Sequence, residues 1–311
     1  MKILVTCPPM LGMKEQFLPI LEQYGVEAYC PNVIQTMTEN ELIKLVPQFD
    51  GWIIGDDPAT SKVFEAAKQG KLKAAVKWGI GVDNVDFSVC KRLGIPITNT
   101  PDMFGAEVAD IALGYVVGLA RETFFIDREI RKGQWPKNRG ISLAGKKIGI
   151  IGQGDIGYHT ATRLLSCDMD VIAWDPSLNN TKDNRITLTQ WPEQINQCDF
   201  LVFTCSLNKQ NFHMLNKDIL DKCKQGVRII NVARGPLINE IDLCLALDSG
   251  QVHSAALDVF ENEPLPDSSP LRKMPLCIFG SHNSSNTSDA VMKTNQRAIE
   301  HLMNFLNIEK L

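Results

Sequence analysis

Short apolar runs alternate with amphipathic, helix-forming stretches along almost the whole of this 311-residue chain. No other feature constrains the fold as tightly. Two parallel strands need a long crossover between them, usually a helix, and strands buried on both faces read as unbroken apolar runs. The pattern therefore predicts an α/β chain whose parallel sheets are covered by helices on both sides. A first series runs through KILVT, VEAYC, WII and KAAVK and ends near ITNTP. A second starts at KKIGIIG (Lys146 to Gly152) and continues through DVIAWD, DFLVFT, VRIINVA, HSAALDVF and LCIFGSH. Five or six such strands are the complement of a doubly wound sheet, so two doubly wound domains are expected.

The connection between the two series is predicted to be a helical block, Asp102 to Arg121, followed by a polar arm, Glu122 to Gly145. The arm contains GQWPKNRG, too rich in Gly, Pro and charge for a core element. Near the C-terminus, Val291, Ala298, Ile299, Leu302, Met303 and Leu306 recur at helical spacing, which predicts one helix over Thr287 to Asn307. No strand follows it, so it is expected to return to the first domain. The expected division is residues 1–98 with 286–311 as one domain and 99–285 as the other.

Composition narrows the function classes. Hydrophobic residues make up 44% and charged residues 22%, as in a soluble protein. A formal charge of -4 offers no electrostatic reason for nucleic acid or an anionic membrane as partner. The most apolar stretch, Ile111 to Ala120, is bounded by Asp110 and Arg121 and is too short to span a bilayer. The N-terminal apolar run is cut off by Pro8 and Pro9 and reads as a first strand rather than a signal peptide, so a cytoplasmic location is expected. Nine cysteines without a C-x-x-C, and histidines lacking paired spacing, predict buried reduced thiols and no metal site.

Gly152-Gln153-Gly154-Asp155-Ile156-Gly157 is a G-x-G-x-x-G. Alone the motif is weak, but here a strand (Ile148 to Ile151) runs in, a helix (Tyr158 to Ser166) runs out, and a second strand (Val171 to Trp174) ends in Asp175. The first glycine makes the tight turn, the second lets a pyrophosphate approach the backbone, and the third lets helix and strand pack closely. Phosphates would then meet the first-turn N–H groups and the positive end of the helix dipole. Asp175 would accept hydrogen bonds from the adenosine ribose and repel a 2′-phosphate, so NAD is expected over NADP. Lys182 and Arg185 are the cations that would argue the other way.

With these residues in view, the chain resembles the D-2-hydroxyacid dehydrogenases, a family that includes phosphoglycerate dehydrogenases. KWGIGVDNVD (Lys77 to Asp86), Asn99-Thr100-Pro101 with Glu107 to Asp110, Gly133-Gln134-Trp135 with Leu143 to Lys146, Asn231 to Gly235, Asp258 to Leu265, and Ser281-His282 follow in the family's order. The resemblance implies a flavodoxin-like substrate domain and a Rossmann NAD-binding domain. It implies that Arg234 binds the substrate carboxylate and carbonyl oxygen, that His282 donates or accepts the proton, and that Glu263 pairs with His282. A guanidinium holds two oxygens at once, and a carboxylate beside an imidazole favours its protonated form. Lys77, Gly79, Ile80 and Gly81 would bind the substrate beside Arg234 and His282. Val108, Asp155, Ile156, Thr204, Val232, Ala233 and Asp258 would contact the cofactor along with the three loop glycines and Asp175. Taken singly, Arg234 could be a surface ion pair, Glu263 a turn residue and His282 a capping histidine. His159, His213, His253 and His301 have no such company and are read as structural. The expected reaction is hydride transfer between NAD(H) and a small 2-hydroxy or 2-keto acid. The alternative is an NAD(H)-sensing binding protein of the corepressor kind without physiological turnover. A homodimer is expected, with the Ile111 to Ala120 helix and the Trp135 arm as its interface.

Three departures from the family matter. Thr204 and Ser206 stand where members often carry His and Pro. The chain ends soon after its closing helix, so the regulatory domain of some phosphoglycerate dehydrogenases is expected to be missing. Asp56 and Asp57 occupy a loop where phosphoglycerate dehydrogenases tend to place an Arg; two carboxylates there would repel a phosphate, which predicts an unphosphorylated substrate.

Overall fold

A computed structural model describes residues 1–311, which divide into two compact units, Met1–Met103 with Asn286–Leu311 and Phe104–Ser285. The first is built on β1 (Lys2–Val5), β2 (Glu27–Tyr29), β3 (Gly51–Ile54), β4 (Ala74–Lys77) and β5 (Ile97–Asn99). All pairings are parallel, in the order β2-β1-β3-β4-β5, the flavodoxin-like order. Strands β3 and β4 are buried along their whole length, as two-sided helix cover requires. Trp52 fills the core against Phe64. The closing helix, Ser288–Leu306, belongs to this unit: Thr287 caps it through the Ala290 N–H, and its Asn295 side chain accepts a hydrogen bond from the Trp78 indole at 2.8 Å.

The second unit holds β6 (Lys147–Ile151), β7 (Asp170–Trp174), β8 (Ile186–Thr189), β9 (Phe200–Phe203), β10 (Val227–Asn231), β11 (Val252–Leu257) and β12 (Ile278–Phe279). The sheet is parallel throughout, ordered β12-β11-β10-β9-β6-β7-β8. The chain starts at β6, winds outward to β8, then returns to β9 and winds the other way. Its switch point therefore lies between β6 and β9, where doubly wound sheets bind ligands. Strand β8 is the one the sequence reading passed over; its residues, ITLT, are half polar because it is an edge strand.

The arm also differs from expectation. Thr123–Arg131 is a helix, with Phe124 and Ile130 on its exposed side, and only the stretch after it is irregular. Most of the apolar face of the Gly105–Arg121 helix is spent inside its own unit, burying Ala112, Tyr115, Val116, Leu119 and Ala120. Ile111 and Val117 are the large apolar residues it leaves outward. All nine cysteines are free thiols and six are buried, where desolvation pushes Cys198 and Cys223 up to about 12.

Candidate active site

Because every strand of the second sheet runs the same way, the loops after their C-terminal ends gather along one edge. The glycine loop follows β6, Asp175 follows β7, Thr204 follows β9, Val232 to Arg234 follow β10, Asp258 follows β11 and His282 follows β12. One edge of one sheet thus carries almost every expected cofactor and catalytic residue of this unit.

The glycine loop has the shape a dinucleotide needs. Gly152 sits at φ +97°, and a side chain there would come within 2.7 Å of the Cys205 Cα. A Cβ on Gly157 would overlap the Gly152 carbonyl. A Cβ on Gly154 would meet nothing within 4 Å, so that glycine leaves open space beside the backbone. The Gln153 side-chain nitrogen is buried in the same loop without a partner. Asp155 opens the helix Asp155–Leu165; its carboxylate packs on Gly105 and lies 3.5 Å from His159, and its N–H and that of Ile156 are first-turn amides without an intrahelical partner. These features fit a bound dinucleotide pyrophosphate.

Asp175 also braces this loop. Its Oδ2 accepts from the Gln153 N–H at 2.8 Å, and its Oδ1 accepts from the N–H and hydroxyl of Ser177. Partial burial works against the charge, but these donors outweigh it and hold the carboxyl below the usual range. The two cations that would favour a 2′-phosphate are both engaged. Arg185 grips Asp183 at 2.5 Å, and Lys182 lies over the Tyr158 ring at 5.1 Å.

Two expected cofactor contacts are occupied with structural bonds. The Thr204 hydroxyl points at the Ile151 and Gly152 carbonyls, at 3.0 and 2.8 Å, so its proton ties β9 to the glycine turn. The buried Asp258 carboxylate accepts from the N–H groups of Asn283 and Ser284, while its carbonyl accepts from the His282 N–H at 2.7 Å. That set of bonds holds His282 at φ +55°, a conformation unusual for a residue other than glycine. Val108, Val232 and Ala233 are buried.

Glu263 and His282 lie 19 residues apart in sequence and meet at 2.8 Å, Oε2 to Nδ1, with both side chains about one-fifth exposed. The second carboxylate oxygen of Glu263 accepts from the Phe260 N–H at 2.9 Å. Arg234 begins the turn after β10; its guanidinium donates to the Ala233 carbonyl, and its own carbonyl accepts from Asn231, whose Oδ1 takes the Ala233 N–H. The neighbouring Gly235 presses on the Phe260 carbonyl so closely that a side chain could not fit. The Arg234 turn and the Glu263 loop are thereby fixed to each other.

In the first unit, Gly79 adopts φ +105° and is pinned by the Thr100 hydroxyl at 2.7 Å, and the Ile80 carbonyl accepts from Asn99. Ile80 is 40% exposed, and Gly81 follows it. The acidic loop corrects the sequence reading. Asp57 is wholly buried and turned inward, accepting from the Thr6 hydroxyl, the Met37 N–H and the Gly55 N–H. Asp56 pairs at 3.0 Å with Lys77, which is itself buried and also donates to the Trp78 carbonyl. A carboxylate that is buried and another matched by an ammonium do not repel a phosphate as two free charges would, so the argument for an unphosphorylated substrate falls. Lys77 likewise is bound to Asp56 rather than held out for a ligand.

His213, read as structural, has a partner: its Nε2 lies 3.1 Å from Glu261. His159 and His253 also face carboxylates, Asp155 at 3.5 Å and Glu122 at 3.8 Å. No spacing rule links residues 213 and 261, so the sequence carried no sign of that pairing.

A doubly wound sheet with this glycine turn and an acid after its second strand defines a dinucleotide-binding domain of the dehydrogenase type. Residues 113–284 match the model for "D-isomer specific 2-hydroxyacid dehydrogenase, NAD binding domain", and the chain belongs to that family. It is 32% identical to the hydroxypyruvate reductase of Thermotoga maritima over 88% of this chain and 90% of that one. It is 29% identical to the D-3-phosphoglycerate dehydrogenase of Archaeoglobus fulgidus over 98% of this chain, but spans only 57% of that longer protein. Among solved structures, the TT0316 protein of Thermus thermophilus superposes with a TM-score of 0.87 at 27% identity, covering 99% and 97% of the two chains. The D-lactate dehydrogenase of Escherichia coli gives 0.83 at 25% identity over 99% and 97%.

Proposed function

We propose that the protein transfers a hydride between NAD(H) and a small 2-hydroxy or 2-keto acid, with Arg234, Glu263 and His282 as its catalytic residues. The observation that carries the reading is the 2.8 Å contact between Glu263 and the Nδ1 of His282 at the edge of an NAD-binding sheet. The bound nicotinamide supplies or accepts the hydride. With Nδ1 committed to Glu263, Nε2 is the nitrogen that exchanges a proton with the substrate oxygen. Glu263 sets the ring's tautomer and stabilises the imidazolium, and its own position is set by the Phe260 N–H. Arg234 binds the substrate carboxylate and polarises the carbonyl, a task suited to a planar, permanently charged fork. The first unit, which carries the Lys77-to-Asp86 motif with its exposed Ile80, is read as the substrate domain.

The test is oxidation of NADH, followed at 340 nm, with a panel of 2-keto acids that includes phosphorylated and unphosphorylated members. Saturable turnover of at least one is expected. Tight NADH binding with no turnover of any of them would overturn the reading. We further propose a homodimer, supported by outward Ile111 and Val117 and by Trp135 at 75% exposure, in a reducing cytoplasmic setting that suits nine free thiols. Sedimentation at micromolar concentration would check the dimer.

A further inference from the structure

Three carboxylates, Glu240, Glu261 and Glu263, crowd against the second sheet's edge, and only Glu263 has been given a task. Glu240 is the first residue of the helix Glu240–Ser249, whose start is capped by Asn239. Its Oε1 accepts from the Glu261 N–H at 2.6 Å, and the Glu261 Oε1 accepts from the Glu240 N–H at 2.8 Å. The bonds are reciprocal, so each residue holds the other's backbone. The other oxygen of Glu261 lies 3.1 Å from the Nε2 of His213.

What this clamp holds is the peptide between Phe260 and Glu261. One side of that peptide is pressed by Gly235, where no Cβ fits, and its N–H is fixed by Glu240. The N–H one residue earlier, on Phe260, is the donor that fixes Glu263 against His282. A displacement of the clamped peptide shifts Phe260 itself, and with it the N–H that holds the Glu263 carboxylate. We infer that Glu240 is a positioning residue for the Glu263–His282 pair, acting through the Phe260–Glu261 peptide. This rests on the proposed roles of Glu263 and His282.

Glu240 does its work by reach, not by charge. The charged groups facing it are Glu261 and Glu263. Burial pushes its carboxyl upward and those two neighbours add to the push, while the Glu261 N–H pulls it back. An amide of the same length should replace it, and a carboxylate one methylene shorter should not.

The experiment titrates the His282 ring by NMR in histidine-labelled protein, assigned with His282→Asn. Wild type is compared with Glu240→Ala, Glu240→Asp and Glu240→Gln. Loss of the acceptor lets Glu263 drift and weakens its support of the imidazolium, so the His282 midpoint moves to lower pH in the Ala and Asp variants. It stays in place in Glu240→Gln. The Asp variant carries the test should the Ala variant fail to fold. An unmoved midpoint in Ala and Asp overturns the inference; so does a shift in Gln as large as in Ala, which would make charge the agent. The readout needs no substrate, so it stands apart from the proposed activity, which fails instead if His282→Asn turns over normally. In turnover, the Ala and Asp variants should lose roughly 10- to 100-fold in kcat through misalignment, with NADH affinity unchanged.

Discussion

Gly154→Ala and Gly157→Ala separate what the glycine loop does for the cofactor from what it does for the fold. At Gly154 the backbone is extended with a negative φ, φ −65° and ψ −159°, and a methyl group would meet no atom within 4 Å. Alanine in place of glycine at such a position stabilises by about 0.4–1 kcal/mol, because it restricts the unfolded chain. In a domain of this size that is roughly 1 to 4 °C in Tm. On the proposed cofactor placement, the same methyl stands where a pyrophosphate would approach the backbone. Losing one charge-assisted hydrogen bond costs about 1.5–3 kcal/mol, which weakens NADH about 10- to 150-fold. Gly157→Ala acts differently: its methyl would overlap the Gly152 carbonyl, so the loop must shift. Overpacking of that kind costs about 1–3 kcal/mol, and both Tm and NADH affinity fall. Scanning fluorimetry with and without NADH, beside a fluorescence titration of binding, reads both quantities. A Gly154→Ala protein that binds NADH as tightly as wild type would refute the placement of the pyrophosphate. A lowered Tm in that variant would refute the open space.

Three further outcomes are expected. His282→Ala lowers kcat by roughly 10²–10⁴ while NADH affinity, measured by titration, is nearly kept. If Arg234 holds substrate and transition state alike, as proposed, Arg234→Ala raises KM and lowers kcat together in steady-state kinetics, and Arg234→Lys recovers only part of the loss. Asp175 has its folded pKa depressed, so its contribution to stability is present above the ordinary aspartate range and is lost as pH falls through it. Urea unfolding of Asp175→Asn should therefore show a deficit at pH 7 that closes as pH drops below about 4, together with weaker NADH binding at neutral pH.

The strands and the glycine turn were legible because they are local. A strand buried on both faces must be apolar along its length, and KIGII, FLVF and VRIIN announce themselves. The edge strand β8 did not, since one side of it meets no other strand and its residues need not be apolar. The helix Thr123–Arg131 was hidden for a related reason, lying in a polar stretch and burying no residue completely. Arg234, Glu263 and His282 stood out through their order among six motifs rather than through any spacing of their own.

Charge state and partnership were another matter. The acidic pair Asp56-Asp57 reads in sequence as two like charges. Folding sends one carboxylate into the core against Thr6 and sets the other on Lys77. His213 reads as a lone histidine and proves to be tied, through Glu261, to the peptide beside Glu263. By itself the sequence determined the layered architecture and the cofactor turn, since each depends on residue type over a few neighbouring positions, and it marked the candidate catalytic residues through the order of six motifs along the chain. Only the tertiary structure decided which charges meet, because an ion pair depends on where distant strand ends come together and how far water is excluded there.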